Sequence, residues 1–205
     1  NEGFHWLSHM QYRDISTDTE SLYLLAANEQ TVFFMLNRTG DVTIELAGPG
    51  ATAHVFAFYT KRTETDRSLR LVQKHLAPDT VSSALVKAAL AGKHSFHYEG
   101  AIEIAKNAHR SNARQESRAL LLTSDARASA RPALEILAHD VICHHAATTS
   151  PVSEEALFFA QSRGLTDDAA ERLLVQGFFQ EALERMEQLG VTSTQAQSRM
   201  GSLQI

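Results

Sequence analysis

Residues 40–46 read Gly40-Asp41-Val42-Thr43-Ile44-Glu45-Leu46, and residues 101–104 read Ala101-Ile102-Glu103-Ile104. In both, apolar side chains fall on every second position, the period of a strand with one face buried. Outward from these two segments the signature recurs. The runs Leu22–Ala26, Thr31–Leu36, Ala53–Tyr59, Leu69–Val72, Val81–Val86, Ser95–Tyr98, Ala101–Ala105, Ala119–Thr123, Leu134–Ala138 and Val141–His145 are apolar or alternating. Turn signals separate them: Arg38-Thr39-Gly40-Asp41, Gly48-Pro49-Gly50, Ala77-Pro78-Asp79, Ala91-Gly92-Lys93 and Ser124-Asp125. No helical pattern intervenes, so residues 1–150 are expected to form a β body. Sandwich, barrel and solenoid all fit, and no strict internal repeat singles out the last.

The pattern changes at Pro151. Ser153 is placed to cap a helix over 154–162, with Glu154 and Glu155 in the first turn, where negative charge suits the helix dipole. Gly164 should end it. Thr166 should cap a second helix that opens with Asp167-Asp168 and runs to about Gln188, before Gly190. Ala170, Leu173, Leu174, Phe178, Ala182 and Met186 share or neighbour one face of it. The expected layout is thus a β core over 1–150, a helical segment over 151–190 and a polar tail over 191–205.

The chain has 205 residues with 19 basic and 24 acidic side chains, and its net charge of -5 argues against a nucleic-acid partner. No apolar run approaches the roughly 18 residues of a membrane span. A single Cys excludes an intrachain disulfide framework and a Cys-rich zinc site. The chain opens on Asn1 with no basic or apolar leader pattern, and is expected to be part of a longer protein.

Chemistry concentrates at Cys143-His144-His145. In a strand Cys143 and His145 share a face and His144 takes the other. A thiolate and an imidazole can bind one soft or borderline metal, but two ligands do not close a site. The competing reading is a small buried Cys beside a hydrogen-bonded His. His94 and His97 are three apart and do not pair in a strand. No phosphate loop, G-x-S-x-G elbow or H-E-x-x-H pattern is present, and the acid pairs read as helix N-terminal charges. On a helix, Phe178 and Phe179 point about 100° apart, so the pair could divide between the β body and a partner.

From Ser117 to Phe179 the sequence closely resembles the C-terminal region of the SufB/SufD family. The motifs are P-x-L-E-I from Pro132, D-V-x-C-x-H from Asp140, S-E-E-A-L-F-F from Ser153, and Ser162-Arg163-Gly164. Residues 40–46 and 75–83 also resemble family segments. The resemblance implies a right-handed parallel β-helix, a single-stranded solenoid, followed by a short α-helical segment. It further implies a non-catalytic scaffold that works with a SufB-like subunit and the SufC ATPase in iron–sulfur cluster assembly. The implied location is the bacterial cytosol, or the plastid stroma in a eukaryote.

Glu116 stands where SufB-like chains carry the Cys of a Q-C-D-S-like segment, and Cys143-x-His145-x-Ala147-Thr148 is the SufD-like pattern. Ala146 and His144 depart from it. The resemblance implies that Cys143 and His145, with His144 beside them, lie at a SufB–SufD interface. Iron or a nascent cluster would be held there transiently and shared with SufB, with no cofactor bound tightly by this chain alone. It implies SufC docking on the helices, for which Glu154, Phe158, Phe159, Arg163, Phe178 and Phe179 are the candidates. A raw solenoid edge also allows a self-dimer. The alternatives are a SufB-like scaffold that builds clusters itself and, far behind, a β-helical carbohydrate-active enzyme, which would need clustered acids that the strands lack.

Overall fold

A computed structural model describes residues 10–60, 66–93 and 95–192. Its strands are β1 (Gln11–Asp14), β2 (Leu22–Leu25), β3 (Gln30–Leu36), β4 (Gly40–Leu46), β5 (Thr52–Tyr59) and β6 (Arg67–His75). They continue with β7 (Val81–Leu90), β8 (Ser95–Ile104), β9 (Ser111–Leu121), β10 (Arg127–Ile136) and β11 (Val141–Pro151). Odd strands form one sheet in the order β1-β3-β5-β7-β9-β11, and even strands form the other, β10-β8-β6-β4-β2. Every pairing is parallel. Each coil of chain therefore adds one strand to each sheet, and the body is a parallel β-solenoid.

The corners between β2 and β3, β4 and β5, β6 and β7, and β8 and β9 each hold a left-handed residue: Asn28, Gly50, Asp79 and Arg110, with φ of 59, 71, 60 and 58°. The N–H of each donates to a carbonyl one coil on: Asn28 to Pro49, Gly50 to Pro78, Asp79 to His109 and Arg110 to Asp140. Asn, Asp and Gly tolerate this conformation best. Arg110 is held there with a forked ion pair to Asp79, both contacts 2.7 Å.

The expected strands are present, with β6, β7 and β11 longer than expected and three further corrections. Ser95–Tyr98 and Ala101–Ala105 belong to a single strand, β8. Strands β9 and β10 begin well before Ala119 and Leu134, because their inward residues are small or polar: Ala113, Gln115 and Ser117 in β9, Ala128 and Ala130 in β10. The polar stretch Gln11–Asp14 also forms a strand, β1.

Two helices follow, α1 (Glu154–Ser162) and α2 (Asp167–Gln188). Ser153 Oγ accepts from the Ala156 N–H, and Thr166 Oγ1 from the Ala169 N–H, as the caps predict. Gly164 and Gly190 take positive φ just past the two ends. The C-terminal half of α2 packs Val175, Phe179, Ala182, Leu183 and Met186 onto Val32, Phe34, Phe56, Phe58 and Leu85 of the odd-strand sheet. Leu173, expected on the packed face, is exposed instead, on the open groove between α1 and α2. Val191 is buried in the same cluster, while the rest of the expected tail, from residue 193, lies outside the described residues, as does His94. Strand β3 is consequently buried on both faces.

Between the sheets lies an apolar core including Leu25, Phe33, Met35, Ile44, Val55, Tyr59, Leu71 and Val86. Toward the C-terminal coils it gives way to a buried polar chain. His75 Nδ1 lies 2.7 Å from Thr80 Oγ1, and its Nε2 lies 2.8 Å from Ser82 Oγ. Thr80 also contacts Ser111 Oγ at 2.8 Å. Burial lowers the His75 imidazole to about 4, so the ring is neutral near pH 7. Its stabilising contribution is complete above the ordinary His value and declines as pH falls toward 4. Between pH 7 and pH 5 this group should cost about 2 kcal/mol of unfolding free energy. Urea titrations at the two pH values check this: a His75→Asn variant, though less stable overall, should show a shallower pH dependence.

Candidate functional site

The two last strands close the solenoid only on one side. Among the described residues β11 pairs only with β9 and β10 only with β8, so each presents an open backbone edge. Pro132, which has no N–H to donate, sits in β10, the kind of edge strand that tolerates it. Leu134, Ile136, Leu137 and Ile142 are exposed around this end. Open edges and apolar side chains together are features that another chain can cover.

On β11 the side chains alternate as the sequence predicts. Val141, Cys143 and His145 are half-buried on the inward row, and Ile142 and His144 are exposed on the outward row. Cys143 packs with Ile102, Ile104, Ala108, Ala113 and Ala138. In register, Cys143 stacks on Ala113 and Ser82, and His145 stacks on Gln115 and Ala84. Both ring nitrogens of His145 are occluded and have no hydrogen-bond partner among the described residues. Burial pushes the Cys143 thiol up and the His145 imidazole down. The pair is thus a protonated thiol beside a neutral imidazole, and ligation by Cys143 requires loss of its proton. Among the described residues no three His, Cys, Asp or Glu side chains come together to hold a metal. What the strand offers is two donors of a type suited to iron and sulfide at an open end.

Glu116 occupies a different environment. It lies on the outward row of β9, under α2, and is almost fully buried. Its carboxylate receives Arg114 at 2.6 Å and Arg118 at 2.9 Å, with Arg185 of α2 at 3.7 Å. Burial works to raise this carboxyl, but the Arg114 hydrogen bond and the charges of Arg185, Arg114 and Arg118 hold it below its ordinary value. Glu181 of α2 bridges Lys87, Arg118 and Arg185 at 2.9, 2.7 and 2.7 Å. Lys87, only 2% exposed, also donates to the Phe178 carbonyl. These ions fasten α2 to the sheet, and sequence spacing alone could not have revealed them.

The helix residues divide into two groups. Glu154, Phe158, Phe159 and Arg163 are exposed on α1 and its C-cap, Phe158 at 71% and Phe159 at 59%, with the Arg163 guanidinium 5.0 Å from the Phe159 ring. Phe158, Phe159 and Arg163 line an open apolar groove between the helices with Leu165, Leu173 and Leu174, whereas Glu154 lies outside its lining. Phe179 is 1% exposed and meets Phe58 edge-on at 5.6 Å. Phe178 is half-buried beneath the Lys87 ammonium, 4.7 Å from its ring. Phe179 therefore belongs to the β-body contact, whereas the α1 phenylalanines do not. Leu165 was not singled out from sequence and Leu173 was expected on the packed face of α2, yet both line the groove beside the Phe158-Phe159 pair.

A solenoid ending in a Cys–His strand, with a helical hairpin clamped on its side, matches the resemblance seen in the motifs. Residues 29–178 match the family model described as SUF system FeS cluster assembly, SufBD core domain. The chain belongs to the SufB/SufD family. It is similar to an iron–sulfur cluster assembly SufBD family protein of Mycobacterium tuberculosis, 39% identical over 51% of this chain and 12% of that protein. A SufBD family protein of Mycobacterium leprae is 32% identical over 71% of this chain and 39% of its own length. The chloroplastic protein ABCI7 of Arabidopsis thaliana is 30% identical over 87% of this chain and 37% of its own length. The chain thus spans well under half the length of these curated relatives. No helix among the described residues is long and apolar enough to cross a membrane.

Two outcomes follow from this SufB/SufD geometry. Phe179→Ala should lose about 3–5 kcal/mol of unfolding free energy, and Phe158→Ala or Phe159→Ala should stay within about 0.5 kcal/mol, as read by urea denaturation. Alkylation of Cys143 by iodoacetamide should be slow at neutral pH, with its half-maximal rate above the ordinary thiol range.

Proposed function

We propose that the chain is a SufD-like, non-catalytic scaffold subunit of an iron–sulfur cluster assembly complex, acting with a SufB-like subunit and the SufC ATPase. The observation that carries this reading is the place of Cys143 and His145 on the inward row of the terminal strand, at an end with open edges. Two donors are too few to close a site, so the remaining ligands come from the subunit that covers β10 and β11. Iron or a nascent cluster is cargo at that joint and does not reside on this chain alone. The SufD-like assignment rests on the Cys143-x-His145-x-Ala147-Thr148 pattern and on Glu116. Where a SufB-like chain would hold a thiol, this one holds a carboxylate locked by arginines. The groove faced by Phe158, Phe159, Leu165 and Leu173 is the SufC docking surface. The working compartment is the bacterial cytosol or the plastid stroma.

Reconstitution with SufB-like and SufC partners tests this. His145→Ala and Cys143→Ser should each lower iron content or cluster yield with the complex still assembled. A joint Phe158→Ala, Phe159→Ala variant should lose SufC in co-purification while keeping the β body folded. Undiminished cluster formation in the first pair would remove the site assignment, and retained SufC would remove the docking assignment.

A further inference from the structure

The buried polar chain of the last coils has a direction that can be deduced. Gln73 Nε2 lies 2.7 Å from Ser82 Oγ and 3.3 Å from the Arg114 carbonyl oxygen. A backbone carbonyl can only accept, so the Gln73 atom facing it is the amide nitrogen. Gln73 Oε1 is then the acceptor that receives Gln115 Nε2 at 2.9 Å. This fixes the second amide in turn, and Gln115 Oε1 is its outward end. That oxygen is buried and has no partner. Gln115 is itself fully buried, and its register partner on the terminal strand is His145. Adjacent strands lie about 4.8 Å apart, and the ring nitrogens of His145 are also buried and unpartnered.

We propose that Gln115 is the positioning residue for His145: the two side chains are register neighbours not bonded in the structure, and a rotation of the His145 ring brings one N–H to Gln115 Oε1 and turns the other ring nitrogen toward the open end of the solenoid. One contact satisfies two buried groups that otherwise cost free energy. An N–H held by a carbonyl fixes the tautomer and ring orientation, the arrangement usual for imidazoles that bind metals. The amide relay Ser82–Gln73–Gln115 makes the acceptor rigid, because each amide is oriented by the one behind it. The consequence for iron rests on the function proposed above, whereas the hydrogen bond itself does not.

Gly100 provides an independent handle. A Cβ there would stand 2.1 Å from Gln115 Oε1 and 2.8 Å from the Tyr98 hydroxyl, another buried atom without a partner. The bare backbone of Gly100 is what lets the Gln115 amide lie where it does. Tyr98 O–H is the rival donor to Oε1, although a carbonyl oxygen has room for two.

The test is metal-free nitrogen NMR of the full chain labelled at histidine, with His145 assigned by its loss in His145→Ala. The wild-type ring should show a single neutral tautomer whose N–H exchanges slowly and gives a nuclear Overhauser contact to the Gln115 side chain. Gln115→Leu should yield a mixture of tautomers with fast-exchanging N–H. Gly100→Ala, which displaces the amide without touching His145, should do the same. A wild-type ring already in fast exchange overturns the proposal without any variant, as does an unchanged tautomer in folded Gln115→Leu. In the reconstituted complex, ferrous iron should bind at least roughly 10-fold more weakly to Gln115→Leu, and equal affinity overturns the positioning role. If the wild-type complex binds no iron, the proposed function fails, and the NMR result still decides the hydrogen bond.

Discussion

The parallel backbone ladder between successive coils is the constraint on which the rest of this structure depends. Each strand bonds to the strand one coil further along, so each inward side chain sits directly on its counterpart in the neighbouring coil. Small and hydrogen-bonded residues can then take the place of bulk, as Ala113, Ser82 and Gln115 do. The same ladder must stop somewhere. Where it stops, at β10 and β11, backbone groups and half-buried side chains face outward together. The candidate site lies at the unfinished end of the hydrogen-bonding pattern.

A second consequence concerns α2. A solenoid has flat outer faces, and the odd-strand sheet carries Val32, Phe34, Phe56 and Phe58 on one of them. The C-terminal half of α2 covers that apolar band, and the ions around Lys87, Glu116 and Glu181 border it. Lys87 and Glu116 are nearly buried, so removing their partners would leave them desolvated without compensation. The helix is therefore rigidly mounted at its C-terminal half. The exposed aromatic side chains of α1 are carried on a fixed base and not on a loose tether.

Local signals were legible in the sequence wherever the physics is local. Ser153 and Thr166 cap their helices, and Gly164 and Gly190 follow the helix ends, because capping involves only a few consecutive residues. The shared face of Cys143 and His145 followed from strand alternation alone. Strands β9 and β10 were only half visible, because polar and small residues inside a narrow solenoid do not register as apolar alternation. The solenoid itself gave no repeat because coil length varies. Thr31 pairs with Ala53, whereas Val81 pairs with Asn112. The motif resemblance supplied the architecture that periodicity could not.

The amino-acid order by itself determined the strands with apolar inward faces, both helices with their ends, and the one strand bearing a thiol and an imidazole on a common face. These depend on backbone geometry over a few residues. Only the tertiary structure decided which phenylalanine belongs to the core, what surrounds Glu116, and that Gln115 lies next to His145 with an acceptor to spare. Phe178 and Phe179 are neighbours in the chain, yet one lies under Lys87 and the other against Phe58. Gln115 and His145 are a whole coil apart in sequence, and the parallel register alone makes them adjacent. Contacts of that kind arise from stacking one coil on the next, so no local pattern in the sequence encodes them.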